Sequence, residues 1–223
     1  MRASPLLYTS QMAVQLDETE VRVLGALMEK EIATPEYYPL SLNALVNACN
    51  QKSNRDPVVS YDETTVDAAL AGLRAKGLAV RISGPDLRVP KHQHRLSETF
   101  NLGRRETAVL CVLMLRGPQT TGELRGRTER LYEFDDLEAV DACLTRLMEW
   151  RPDPLAVRLP RQAGYKETRY AHLLSGDPPA QPAGLAPAIR EDPVARLQAR
   201  VDHLDQEVAE LQRQFAEFRK QFE

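Results

Sequence analysis

Basic side chains that could hold a phosphate backbone gather at three places along the chain. One is a short run of arginines ahead of a predicted helix, and the other two surround predicted β-hairpins. Guanidinium and ammonium groups at such positions contact phosphates by charge and shape without reading bases. Solvated surface charge and contact with an acidic protein surface are the alternative interpretations. The candidate nucleic-acid-binding residues are Arg125, Arg127, Arg130, Arg158, Arg161, Lys166, Arg169, Arg88 and Lys91.

Asparagines form a second pattern with recognisable chemistry. Asn43, Asn47, Asn50 and Asn54 are spaced by four, three and four residues, which aligns their amides along one side of a predicted helix and into its exit loop. Because asparagine is a mediocre helix former, the stripe has a small cost in helix stability. Amides read adenine edges, but they also hydrogen-bond loops or a neighbouring domain. Partner contact and internal structure both stay open as interpretations.

Sequence signatures of catalysis and cofactor binding do not occur in the chain. There is no phosphate loop, dinucleotide fingerprint or HExxH helix, and no cysteine has an evident histidine partner. His92 and His94 share one face of a predicted strand, which suits a metal ion, but further ligands do not accompany them. Cys49, Cys111 and Cys143 fit neither a disulfide framework nor a zinc site and are predicted to be buried fillers. We therefore expect a non-catalytic protein without cofactor or metal.

Composition is that of an ordinary soluble protein. The 223 residues are 43% hydrophobic and 27% charged, and no apolar run approaches the ~20 residues of a transmembrane helix. The first residues lack the apolar core of a signal peptide, so a cytosolic location is expected. The formal net charge of −3 divides into −2 for residues 16–100, +1 for 101–174 and −3 for 175–223, with Arg2 completing the sum. Nucleic-acid binders more often carry a clear positive excess, which counts against DNA as a ligand.

An internal repeat defines the elements that must position these residues. The tract from Val66 to Ile82 returns from Val140 to Leu159, and apolar positions upstream of the two tracts match as well. Matching apolar positions specify matching buried faces, so the chain holds two copies of one folding unit. In this alignment Cys111 takes the place of Gly25.

Each copy of the repeat predicts three helices followed by a β-hairpin. In the first copy, Asp17 can cap the first helix, the second helix begins near Ser41, and Ser60 with Glu63 forms a capping box for the third. This order is the winged-helix pattern, so we predict a mainly α fold with small antiparallel β-hairpins in two tandem winged-helix domains. The predicted strands are 78–82 and 87–95 in the first copy and 155–160 and 168–174 in the second, where the predicted helices are 103–116, 121–130 and 137–150.

The third helix of each copy is the element that enters the DNA major groove in many winged-helix proteins. Carboxylates in its first turn, such as Glu63 and Asp136, favour the helix dipole but repel phosphates. Base reading by these helices is therefore not expected. Their predicted exposed residues are Thr64, Asp67, Ala71 and Arg74 in the first copy and Glu138, Asp141, Thr145 and Glu149 in the second.

Three longer stretches resemble the YceH-like bacterial proteins, a family of uncharacterised function. They are YYPLSLNALVNACNQKSNRDPV (37–58), RGPQTTGELRGRTERLYEF (116–134) and LPRQAGYKETRYAHLL (159–174). Together with the segments between them, they cover nearly all of residues 16–174. The resemblance implies a tandem winged-helix fold. It implies no established activity, so no catalytic residue follows from it.

The C-terminal residues predict a helix that pairs with a second copy of the chain. Residues 175–190 hold four prolines and two glycines and predict a linker. Beyond it, apolar residues recur at alternating steps of three and four, a heptad pattern that favours a parallel two-stranded coiled coil and a homodimer. The alternative is an amphipathic helix folded onto the chain's own body, although a narrow seam suits another helix better. The predicted oligomerisation residues are Val194, Leu197, Val201, Leu204, Val208, Leu211, Phe215, Phe218 and Phe222.

The predicted organisation has five parts: a flexible arm at 1–15, winged-helix domains at 16–100 and 101–174, the linker at 175–190 and a coiled-coil helix at 191–223. The expected function is that of a non-catalytic cytoplasmic binding protein without membrane contact, which holds DNA through basic wings rather than base-reading helices. A protein assembly scaffold that uses acidic winged helices to hold an unidentified protein partner is the alternative.

Overall fold

In a computed structural model of the chain, the described residues are 14–85, 87–161 and 167–178. Within these ranges the chain forms seven α-helices and five short strands in two small antiparallel sheets, which confirms the predicted mainly α fold. None of the helices in these ranges has the length and apolar character needed to cross a bilayer. Lys166 and the predicted oligomerisation residues between Val194 and Phe222 lie outside the described residues.

The two copies of the repeat, residues 16–100 and 101–174, are called here the first unit and the second unit. Both have three main helices before their hairpin, and a short fourth helix leads from the first unit into the second. The helices are α1 (Glu18–Ala33), α2 (Leu42–Cys49), α3 (Glu63–Ala75), α4 (Leu96–Thr99), α5 (Arg104–Arg116), α6 (Thr121–Thr128) and α7 (Leu137–Met148). The strands are β1 (Leu40–Ser41), β2 (Ala79–Ile82), β3 (Lys91–His94), β4 (Ala156–Arg158) and β5 (Tyr170–His172).

Helix starts follow the capping residues in most places. Asp17 caps α1, because its carboxylate accepts a hydrogen bond from the Glu20 backbone N–H at 2.8 Å while Glu20 accepts one from the Asp17 N–H at 2.9 Å. The Ser41 hydroxyl caps α2 by accepting from the Ala44 N–H at 3.3 Å. Both starts agree with the sequence prediction.

The start of α3 differs from its prediction. The capping residue is Asp62, which accepts a hydrogen bond from the Thr65 N–H at 2.8 Å, and the predicted capping box of Ser60 and Glu63 is wrong. The reason lies one residue earlier, at Tyr61, whose backbone N–H and C=O both bond to the Asn50 side chain at 2.8 Å. This pairing commits the Tyr61 backbone to a partner outside the helix, so the helix begins after it.

The sheets of the two units have the same plan. In the first unit the strand order is β1–β3–β2, with Leu40 opposite His92 and Ala79 opposite His94. In the second unit β4 pairs with β5, and Gln119 exchanges two backbone hydrogen bonds with Tyr170 at 3.0 and 2.7 Å. This bridge occupies the position that β1 has in the first unit. Each hairpin therefore pairs with a third, very short extended segment.

The core runs through both units without a break. Every residue from Glu20 to Glu29 in α1 and from Glu106 to Leu115 in α5 is buried, because each helix packs against its own unit on one side and against the other helix on the other. A Cβ atom placed on Gly25 would lie 2.9 Å from Leu115 Cδ2, so the missing side chain lets the two helices approach. All described residues accordingly belong to one compact body.

Candidate functional site

The exposed faces of α3 and α7 are acidic where the helices begin. Thr64, Asp67 and Ala71 are exposed on α3, with Arg74 half-buried. On α7, the four residues predicted to be exposed are exposed. Residues 62–73 carry three carboxylates and residues 135–145 carry four, with no lysine or arginine in either stretch. These helix starts therefore repel a phosphate backbone.

The hairpin of the first unit has the opposite charge. Residues 74–95 hold six lysines and arginines against a single acidic residue. Lys76 is paired with Glu20, and Arg95 lies 3.4 Å from Glu98. Arg81 and Arg88 are exposed, and neither forms an ion pair with another described residue.

The strands of this hairpin place cations around His92. Arg81 lies directly opposite His92 in the sheet, and the next pair joins Ile82 to Lys91. The His92 ring and the Arg74 guanidinium each hold a buried nitrogen that has no hydrogen-bond partner among the described residues. Burial and then the Arg74 charge lower the pKa of His92 below its ordinary value, so the neutral ring is favoured there.

The hairpin of the second unit repeats this arrangement less strongly. Residues 146–172 hold six basic residues against three acidic ones. Arg158 donates to the Thr168 hydroxyl at 3.2 Å and is exposed. Arg169 donates to the Pro118 carbonyl at 2.8 Å and lies 3.4 Å from Glu123, so part of its charge is used internally. Arg161 is exposed at the end of the described strand region.

Arg81 is absent from the candidate residues that the sequence supplied, although the signal for it was present. The repeat aligns the segment Leu78–Ile82 with Leu155–Leu159, which makes Arg81 the counterpart of the candidate Arg158. The strand registers agree, since Arg81 faces His92 and Arg158 faces Tyr170 at the same step of each hairpin. Transferring candidates between copies of the repeat would have found it.

The three arginines around α6 do not extend the basic hairpins. Arg125 donates to the Phe134 and Asp135 carbonyls at 3.4 and 2.9 Å, which holds the loop after the helix. Arg127 pairs with Glu123 at 3.4 Å, and Arg130 is exposed. Arg127 and Arg130 instead border a cleft between the two units.

This inter-unit cleft lies between the C-terminal halves of α1 and α5 and the end of α6. Its volume is about 190 Å³. Arg116 stands half-buried in its wall and donates to the side-chain oxygen of Asn54. Its lining residues are Glu29, Ala33, Asn54, Cys111, Val112, Leu115, Arg116, Gly126, Arg127, Glu129, Arg130 and Leu131.

The asparagine stripe divides into two parts. Asn43 and Asn47 are exposed on α2 and hydrogen-bond each other at 3.4 Å, so their contact with a partner stays a prediction. Asn50 is the C-terminal cap of α2 and ties the loop 51–60 to Tyr61. Asn54 has a positive φ of 59° and accepts from Arg116 of the other unit. The latter two amides hold the fold together.

The cysteines are all buried, as the sequence predicts. Burial raises the pKa of Cys49 and of Cys143 to about 12, so both thiols stay protonated and unreactive at neutral pH. Cys111 lies between the units, with its Sγ 3.5 Å from the Gly25 carbonyl oxygen. Their environment is that of packing residues.

A wider groove lies beside the single tryptophan of the chain, with a volume of about 560 Å³. Arg146 lies 5.4 Å from the centre of the Trp150 ring and 3.1 Å from Glu106, which fixes one wall. Phe100 and Thr145 line the groove near by. The sequence pattern gave no sign of it.

Two related three-helix units with basic hairpins and acidic helix starts define a mainly helical protein built by internal duplication. The sequence profile described as "Protein of unknown function, DUF480" matches residues 16–165. The chain belongs to this family, and the resemblance to the YceH-like bacterial proteins is confirmed.

Relatives in several bacteria share most of the chain. A UPF0502 protein of Solibacter usitatus is 62% identical over 94% of this chain and 98% of its own length. One of Opitutus terrae is 56% identical over 88% and 83%, and one of Pelobacter propionicus is 53% identical over 95% and 100%. Their names state no activity.

Proposed function

We propose that this protein is a non-catalytic, tandem winged-helix protein of the cytoplasm that binds duplex DNA through the basic hairpins of its two units. In this proposal the hairpins act as wings that hold phosphates, and α3 and α7 do not read bases. The three-helix order, the short third strand and the repetition of both in each unit support the winged-helix assignment.

The observation that carries the DNA proposal is the separation of charge within each unit. The start of the third helix is purely acidic, and the end of that helix with the hairpin is basic. Arg81, Arg88 and Arg158 are exposed and make no ion pair with another described residue, so their charge is available to an outside anion. Arg125 is engaged with backbone carbonyls, and Arg127 and Arg130 border the cleft, so the hairpins supply the main contacts.

Pairing of two chains would strengthen such contacts. We propose that residues 191–223 form the parallel coiled coil that their heptads predict, which joins four winged-helix units in one homodimer. Linked weak sites gain effective affinity without any new contact, provided that they engage DNA simultaneously.

The test is binding of a random-sequence duplex by fluorescence anisotropy at two salt concentrations, about 50 and 200 mM. The full chain is compared with the Arg81→Gln/Arg158→Gln variant. A Lys52→Gln/Arg104→Gln variant removes the same charge from exposed positions outside the hairpins. We expect the wild type and the control to weaken steeply with salt, and the hairpin variant to show a slope smaller by about one for each lost phosphate contact.

Two results would reject DNA binding by the hairpins. The first is no detectable binding at the lower salt concentration. The second is an equal salt slope for the hairpin variant and the control variant, because the phosphate contacts would then lie elsewhere.

A second function has one observation in its favour, the exposed carboxylates at the starts of α3 and α7. Exposed carboxylates on two related helices suit a basic protein surface, so an assembly scaffold is the alternative proposal. Affinity purification from the native cell with the wild type and an Asp67→Lys/Asp141→Lys variant tests it. A protein captured by the wild type and lost with the variant would favour the scaffold.

A further inference from the structure

We propose that the inter-unit cleft is a binding site for a small organic carboxylate with an apolar body. The site lies where α1 of the first unit, α5 of the second and the end of α6 meet. It is independent of the DNA proposal, which rests on the hairpins.

The cleft has apolar walls and a cationic rim. Ala33, Val112, Leu115 and Leu131 supply an apolar surface on which a hydrocarbon ring or chain can lie. Arginine side chains from α5, from α6 and from the turn after α6 supply the cationic rim. Pockets that combine apolar walls with a few convergent polar groups are typical ligand sites.

Two of the charged groups that line the cleft have partners of opposite charge. Glu29 is neutralised by Arg55, whose two terminal nitrogens lie 3.1 and 2.6 Å from its carboxylate oxygens. Arg127 faces Glu123 at 3.4 Å, outside the cleft lining.

Two further arginines line the rim. The carboxylates of Glu29 and Asp56 act on Arg116 and favour its charged form, whereas Arg130 is exposed and forms no ion pair with a described residue. The guanidinium of Arg130 is therefore open to an incoming carboxylate.

Other charged groups also act on Arg116. Burial, followed by repulsion from Arg127 and Arg55, lowers the pKa of Arg116 below its ordinary value, and the carboxylates of Glu29 and Asp56 oppose part of this shift. A bound anion would stabilise the charged guanidinium in the same way as these carboxylates do, and a guanidinium fork matches a carboxylate with two parallel hydrogen bonds.

The cleft is held open by contacts that belong to the fold. Asn54, in a left-handed backbone conformation, accepts from Arg116, and the neighbouring Asp56 N–H donates to the Leu115 carbonyl at 2.9 Å. The loop of the first unit is therefore fixed against α5 of the second. A site that is formed before the ligand arrives loses little ordering entropy on binding.

Its size limits the ligand. A volume of about 190 Å³ lies below the 300 to 1,000 Å³ that is usual for drug-sized molecules, so a single ring or a short chain fits. Benzoate has this size, one negative charge and an apolar body, and it serves as the probe. Benzamide has the same shape without the charge, and acetate has the charge without the ring.

The experiment measures binding of each probe to the full chain by isothermal titration calorimetry in a buffer without carboxylate. Benzoate is expected to bind. Benzamide, which lacks the negative charge, and acetate, which lacks the apolar ring, are expected to bind at least about tenfold more weakly. Equal binding of benzamide would overturn the anion site, and equal binding of acetate would overturn the apolar one. Inorganic phosphate that binds as tightly as benzoate would overturn the choice of a carboxylate.

Variants locate the site. Arg130→Gln removes an exposed guanidinium from the rim, and Arg104→Gln removes one from the start of α5, away from the cleft. The first should weaken benzoate binding about tenfold and the second should leave it unchanged. Amide NMR shifts of Val112 and Leu115 on titration with benzoate give a second readout. Equal affinity of both variants, or shifts confined to other residues, would reject the cleft.

Discussion

Gly25 and Cys111 occupy the same position in the two copies of the repeat, and they touch each other. The Cys111 thiol donates to the Gly25 carbonyl at 3.5 Å, and both residues lie at the contact between α1 and α5. Contact between equivalent positions is the property of an interface with two-fold symmetry. The two units therefore meet through the same helix, α1 in one and α5 in the other.

Enlarging Gly25 should separate these helices. In Gly25→Val, side-chain atoms would collide with Leu115, which is buried and has little room to move, so we expect a loss of about 1–3 kcal/mol in unfolding free energy. The matched control is Gly122→Val, at a helical glycine with nothing within 4 Å of an added Cβ. Urea denaturation followed by circular dichroism measures both. Equal stability of the two variants would contradict the close approach of α1 and α5.

The buried pair of Glu29 and Arg55 gives a second prediction. Arg55 has no exposed side-chain surface and Glu29 has 10%, so removing one partner leaves a buried charge unpaired. Arg55→Met should cost about 3–5 kcal/mol in unfolding free energy. In the second unit the repeat places Leu115 where Glu29 stands, so an apolar residue fits this kind of site.

The double variant Glu29→Leu/Arg55→Met should accordingly recover part of that loss. The measurement is the urea midpoint and slope of both variants and of the wild type. A double variant that is less stable than Arg55→Met would show that the two charges do not depend on each other.

Acid should destabilise the protein through His172. Burial lowers the pKa of His172 from 6.5 to about 4, and its Nδ1 atom is buried without a partner among the described residues. The folded state then binds this proton less readily than the unfolded state does. Its contribution to stability is complete above pH 6.5 and is lost as the pH falls towards 4.

His172→Phe keeps a ring at this position and removes the titrating group. Between pH 6.5 and 4, the wild type should lose more unfolding free energy than the variant, by up to about 3 kcal/mol at ~1.36 kcal/mol for each pH unit. Urea denaturation at three pH values across this window measures the difference. Parallel pH profiles would contradict the assignment to His172.

The coiled-coil proposal predicts a change in molecular mass. Leu204→Pro places a helix breaker in the middle of the heptads, and paired Leu204→Glu and Leu211→Glu changes put charge in the predicted seam. Both should lower the mass measured by light scattering from that of a dimer to that of a monomer. The control is Gln206→Glu, which adds charge outside the seam. An unchanged mass in the first two variants would reject self-association through this segment.

Local sequence patterns predicted those parts of the fold that depend on residues only a few positions apart. The order of the helices and hairpins, and the helix caps at Asp17 and Ser41, follow from apolar spacing and capping chemistry. The strand β1 was not predicted, because it has two residues and exists through pairing with β3, far along the chain. Local patterns also do not show that α1 is buried on all sides. One of the surfaces that cover it belongs to α5, which lies far along the chain.

The candidate site was likewise predicted from the sequence only in part. Sequence spacing identified Arg158, whose position follows from the local pattern of strand β4, whereas Arg88, predicted to lie in the strand 87–95, lies in the loop before β3. It also placed Asn54 in an asparagine stripe that serves either a partner or internal structure, and the Asn54 side chain contacts Arg116 of the other unit. No spacing rule connects those two residues, and the cleft that they border comes from packing between the units. Its arginines are visible in the sequence, but their convergence is not.

The contact between α1 and α5 also bears on how the chain arose. A lone copy of the repeat would leave the outer face of its first helix apolar and open to water, which a small domain tolerates poorly. Two identical copies would cover each other through that same face. Joining them in one polypeptide turns a concentration-dependent homodimer into a permanent one, and it frees each half to change separately, as Gly25 and Cys111 have done.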